Sequence, residues 1–193
     1  MATEVQLGEV LRLAVAGGES VVAVDVAERL GAGLLGVSRF REVVELMAPL
    51  VDWEPSATVL DYTGQAHQSM GELDAATVLF ERSLAARVEV GDRSGQAGTL
   101  NNIGMVHDAR GELDVALNYY GQALPIQVEV GDRSGQAVTR YNIAMVLRAQ
   151  GHLDDAVTEL QLVVELDAAV QHPDLEADTA MLHQVQAERE ALS

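Results

Sequence analysis

His67 and His107 stand forty residues apart, and Asp108 directly follows the second of them. Two imidazoles and a carboxylate could make a metal site or an acid–base pair. An offset of forty, however, places the two histidines on successive structural repeats. Neighbouring packed helices lie about 8–10 Å apart, which is further than one shared ion allows. Packing between helices is therefore the better reading of both. Arg93-Ser94 and Arg133-Ser134 could present an anion site at helix N-termini. Asp92 and Asp132 precede them and already put negative charge at those positions. The chain has no Cys and no Lys, and all twelve basic residues are Arg. This excludes disulfides, thiolate nucleophiles, a Schiff-base lysine and a phosphate-loop lysine. No Gly-x-Ser-x-Gly elbow and no His-Glu-x-x-His helix occur. The glycines follow no strand pattern, so they do not form a dinucleotide loop. Asp154-Asp155, His152 and His172 fall at turns or helix starts, and His183 on the last helix, all read as solvated. No catalytic constellation, no metal site and no cofactor is expected, and the reading is that the protein is not an enzyme.

Composition narrows the remaining classes. The chain has 193 residues, 48% apolar and 4% aromatic, with a formal net charge of −18. That apolar fraction can bury a substantial core, and the Ala, Leu, Val and Glu content favours closely packed helices over sheet. The charge argues against nucleic acid and against anionic membrane surfaces, and it favours a basic partner through the long-range field. No apolar run is long enough to span a membrane and no signal pattern follows Met1, so a cytoplasmic location is expected. Arg in place of Lys, with abundant Ala and Val, resembles a GC-rich bacterial coding bias.

The elements that must position any site come from a repeat. Val88-Glu89-Val90-Gly91-Asp92-Arg93-Ser94-Gly95-Gln96-Ala97 returns unchanged at residues 128–137. At the same offset, Gly71-Glu72-Leu73-Asp74 aligns with Gly111-Glu112-Leu113-Asp114 and Gly151-His152-Leu153-Asp154. A fixed period of this kind marks an array of supersecondary units. Apolar spacing predicts helices over residues 3–16, 20–35, 39–51, 57–70, 73–90, 94–110, 113–130, 134–150 and 153–170, then a capping helix over 174–192. Gly91 and Gly131 should stop helices in the left-handed conformation, and Asp92 and Asp132 should cap the ones that follow. Pro55 suits the first turn of a helix. Pro125 lies inside a helix and crowds the carbonyl of Gly121, so a kink or early unwinding is expected there.

These residues resemble tetratricopeptide repeats. The family alternates small and large residues at fixed places, met here by Gly64, Ala76, Phe80 and Ser83, then by Gly104, Ala116, Tyr120 and Ala123. Ala144, Ala156, Leu160 and Val163 form a third set, and Gly31, Val43, Met47 and Leu50 a degenerate one. The forty-residue period is similar to the longer variety found in kinesin light chains, animal polarity scaffolds and actinobacterial signalling proteins. The resemblance implies an all-α, right-handed α-solenoid of antiparallel helix hairpins, one domain over residues 1–193. Within it lie an N-terminal helix (3–16), repeats at 20–51, 57–90, 92–130 and 132–170, and a capping helix (174–192). Asn102 and Asn142 occupy the position where related arrays clamp a partner's backbone; the alternative is hydrogen bonding between neighbouring helices. The family's register implies a concave, partner-binding groove lined by Asp61, Tyr62, Gln65, Asn101, Asn102, Met105, Asp108, Tyr141, Asn142, Met145 and Arg148.

The expected role is a protein–protein interaction scaffold that holds a peptide or protein segment in that groove, with a basic segment favoured. The alternative is a regulatory sensor module of a larger signalling or transcriptional regulator, acting through self-association or autoinhibition as a homo-oligomer.

Overall fold

The computed structural model describes residues 4–53 and 56–192. Thr3, where the first helix was expected to open, and Pro55 lie outside the described residues. Among the described residues the regular structure is all helical, with no strand. The chain divides into two compact units, residues 1–91 and 92–193.

The first unit holds α1 (Glu4–Gly17), α2 (Ser20–Gly36), α3 (Phe40–Trp53), α4 (Ala57–Ser69) and α5 (Leu73–Val90). Its core joins Leu11 and Ala14 of α1 to Ala23, Val26, Ala27, Leu30 and Leu34 of α2. Val43, Met47 and Leu50 of α3 complete it with Val59 and Ala66 of α4. The second unit holds α6 (Arg93–Ala109), α7 (Leu113–Val130), α8 (Arg133–Ala149), α9 (Leu153–Val170) and α10 (Leu175–Leu192). Each helix packs against the next, and α6 also touches α8. On α10, Leu182 and Val185 close over Ala156, Val157 and Leu160 of α9.

Local chemistry explains the boundaries. Gly91 and Gly131 adopt φ of 70° and 73°, which an L side chain resists, and each ends a helix in the left-handed region. The Asp92 carboxylate then accepts from Gly95 N–H at 2.9 Å, and Asp132 from Gly135 N–H at 2.8 Å. The repeated ten-residue word is thus a stop and a restart. Against expectation, α7 does not unwind at Pro125 but continues to Val130.

The small–large pairs set how closely the hairpins approach. A Cβ on Gly104 would lie 2.5 Å from Cε1 of the fully buried Tyr120, and Gly64 stands in the same relation to Phe80. In the third hairpin the small residue is Ala144 and the large one is Leu160, both fully buried in one cluster. We expect Gly104→Ala to lower stability by about 1–3 kcal/mol through overpacking. Adding Tyr120→Leu, which reproduces the Ala144–Leu160 pairing, should recover part of that loss. Urea denaturation of both variants measures it; a neutral Gly104→Ala would contradict the close approach.

Candidate functional site: the first-helix faces and a terminal acidic pocket

In the first unit, two of the implied groove residues are engaged internally. Asp61 is buried, and its Oδ2 accepts from Arg87 Nη2 at 2.6 Å and from Nε at 3.2 Å. The ring of Tyr62 lies against Gly31, where a Cβ would come within 2.5 Å of its Cδ2. Burial, followed by the charges of Glu28 and Asp61, pushes the Tyr62 phenol above its ordinary range. Gln65 is half-buried on the same helix.

In the second unit, α6 and α8 carry the rest. Asn101 is buried and acts as a hub: its Oδ1 accepts from Thr139 Oγ1 at 3.0 Å and from Asn142 Nδ2 at 3.2 Å. Gln127 Nε2 in turn donates to Thr139 Oγ1 at 2.9 Å. Asn142 therefore bonds between helices, while its flank still lines an open pocket. Asn102, Tyr141 and Met145 are half-buried, and Met105 is 37% exposed. Asp108 is half-buried, and desolvation raises its carboxyl above the usual range. Arg148 is held by the last helix: its Nε donates to Glu188 Oε2 at 2.8 Å and its Nη2 to the other carboxylate oxygen. The same contact keeps Glu188 below the usual carboxylate range.

The two histidines pack as expected, with partners that the sequence reading missed. His67 Nδ1 lies 2.5 Å from Glu72 Oε2, and His107 pairs in the same way with Glu112. His107 also stacks on Tyr119, with centroids 5.2 Å apart and planes 7° from parallel. The signal was present: Glu follows His by five positions in both copies.

Reasoning from sequence also missed the pocket at the far end of the unit. It has a volume of about 280 Å³, with Ala137, Val138, Tyr141 and Asn142 of α8 on one side. Asp167 of α9, His172 and Asp174 of the connecting turn, and Ala177 and Asp178 of α10 form the other. Asp167 is only 1% exposed, and its carboxylate oxygens have no N–H or hydroxyl donor; the neighbouring carboxyl is that of Asp178. Burial pushes the Asp178 carboxyl up to about 6, reinforced by Asp167 and Asp174 and opposed by His172. These acids escaped notice because Asp167 reads as one polar residue near a helix end and Asp178 as part of a solvated cap. Among the described residues, no group of three or more His, Asp or Glu side chains could hold a metal ion. No described helix is long and apolar enough to cross a membrane.

Stacked helix hairpins with buried small–large contacts and glycine turns at a fixed period define a helical repeat protein. The chain belongs to the tetratricopeptide repeat family, whose model matches residues 55–127 and 95–169. No curated protein sequence matches the chain. Several solved structures share the fold. BtubC (BKLC) from P. vanneervenii is 15% identical with a TM-score of 0.66, over 95% of this chain and 88% of that one. MamA is 18% identical with a TM-score of 0.68, over 87% and 91%. YrrB, described as a TPR protein with an unusual peptide-binding site, is 19% identical with a TM-score of 0.60, over 95% and 87%.

Proposed function

We propose that this protein is an interaction scaffold that binds a peptide segment of a partner protein on the first-helix face of its second unit. The observation that carries this is the pocket into which Tyr141 and Asn142 open from α8. Around them α6 and α8 offer Met105 and Met145 for adaptable apolar contact, and Asn102 and Asp108 for polar contact. The arrangement presents fixed polar groups on rigid helices, which suits recognition. A solved structure of the same fold that is described by its peptide-binding site supports this reading. A net charge of −18 favours basic peptides and disfavours nucleic acid and anionic membranes.

Selection of a random peptide library on the full chain tests the reading. The selected peptides should lose about ten-fold or more in affinity on Tyr141→Ala, as a central aromatic anchor predicts. The helical circular dichroism spectrum should be unchanged. Equal affinity for wild type and Tyr141→Ala would place binding elsewhere and end this proposal.

A further inference from the structure

Asp167 poses a problem that the fold does not solve. It sits in the last turn of α9, where the helix dipole already disfavours negative charge, and it is almost wholly removed from water. A buried carboxylate needs a cation or several donors. His172 does not supply them. Its Nδ1 lies 4.0 Å from Asp167 Oδ1, beyond hydrogen-bond distance, and accepts the Asp174 backbone N–H at 3.3 Å. Asp178 and Asp174, the other charged groups at the pocket, are also acids. Asp178, whose carboxyl is raised to about 6, is the group whose proton can be shared with Asp167 at acid pH.

We propose that this pocket is the receptor for one cationic side chain, an arginine or a lysine, of the partner peptide. The volume of about 280 Å³ falls just below the roughly 300–1,000 Å³ of small-molecule sites and suits one long side chain. Ala137, Val138, Ala177 and the ring of Tyr141 provide an apolar wall along which an aliphatic stem can lie. The Tyr141 face can also receive a cation from above. Asp167, Asp178 and Asp174 supply the negative charge at the end. Such a cation meets the ionised Asp178 and Asp174 in the pocket, and the buried Asp167 carboxylate behind them adds to the negative field. The proposal rests on the peptide-binding reading for the kind of chain that delivers the cation.

The test is a titration of the ¹⁵N-labelled full chain, followed by NMR, with acetyl-arginine methylamide, acetyl-lysine methylamide and the neutral acetyl-norleucine methylamide. The cationic probes should shift the amides of Tyr141, His172 and Asp178 saturably at neutral pH, and norleucine should not. Asp178→Asn should weaken binding by about ten-fold, in keeping with the loss of one charge-assisted hydrogen bond. Asp167→Asn is the second variant, and Asp178→Asn still reports if the buried substitution impairs folding. Between pH 7.5 and 5 the wild-type affinity should fall by about ten-fold as Asp178 takes up its proton near 6, and the Asp178→Asn affinity should change less. The groups facing Asp178 are Tyr141 of α8, Asp167 of α9, and His172 and Asp174 of the turn. Equal shifts by norleucine, or Asp178→Asn binding at wild-type strength, would overturn the proposal. The outcomes separate it from the parent reading. Selected peptides that carry no basic residue, and bind through Tyr141 regardless of Asp178→Asn, would leave peptide binding standing and remove the cation pocket. Saturable arginine binding with no selectable peptide would do the reverse.

Discussion

Ala116→Arg should abolish the cooperative folding of the second unit. Ala116 is fully buried on α7, in a cluster with Tyr120 and with Val146 of α8, and Leu113, Leu117 and Ile143 close around it. An arginine there must either place an unpaired charge in an apolar contact or push α7 and α8 apart. Either route costs on the order of 4–5 kcal/mol or more, at the extreme of single substitutions. A domain's whole stability is about 5–15 kcal/mol, so little or none would remain. Hydrogen exchange should show loss of protection throughout α7 and α8, and circular dichroism a reduced helical signal. A native-like melting curve would refute the register that places Ala116 at the helix contact.

The second large effect is expected at the Asp61–Arg87 pair of the first unit. Their side chains are only 10% and 14% exposed, and Arg87 also donates from Nε to Ser83 Oγ at 3.4 Å. Arg87→Met keeps the aliphatic stem but leaves Asp61 without its main counter-charge. Breaking a buried pair from one side costs about 3–5 kcal/mol, much of it the uncompensated charge. Asp61→Asn added to Arg87→Met removes that charge, so the double variant should be more stable than Arg87→Met alone. Urea denaturation of the four-member cycle gives the coupling. A double variant less stable than either single one would mean that the carboxylate is not the strained group.

These two residues show where sequence reasoning stops. Asp61 was assigned to the groove because tetratricopeptide register puts its position on the inner face, and register alone does not say which polar residue of that face is taken up internally. Arg87 comes 26 residues later, and only the packing of α5 on α4 brings it to Asp61. Asn101 shows the same effect. It shares a helix face with Met105, yet its oxygen is consumed by Thr139 and Asn142 from α8.

What the sequence alone determined was everything local or periodic. The Gly91-Asp92 and Gly131-Asp132 steps follow from the left-handed conformation glycine tolerates and from the carboxylate that caps the next helix. The Gly64–Phe80 and Gly104–Tyr120 matches follow from a volume that two packed helices must share. Such rules act within a few residues or at one fixed offset, so they survive reading along a line. The unwinding considered at Pro125 does not occur, and α7 continues to Val130. The pocket formed by Asp167, Asp178, His172 and Tyr141 was decided by tertiary structure alone. Its members come from three helices and a turn, and burial of the Asp167 carboxylate depends on the angle at which α10 closes over α8 and α9. Periodicity assigns a residue to a face; desolvation and charge depend on what stands opposite that face.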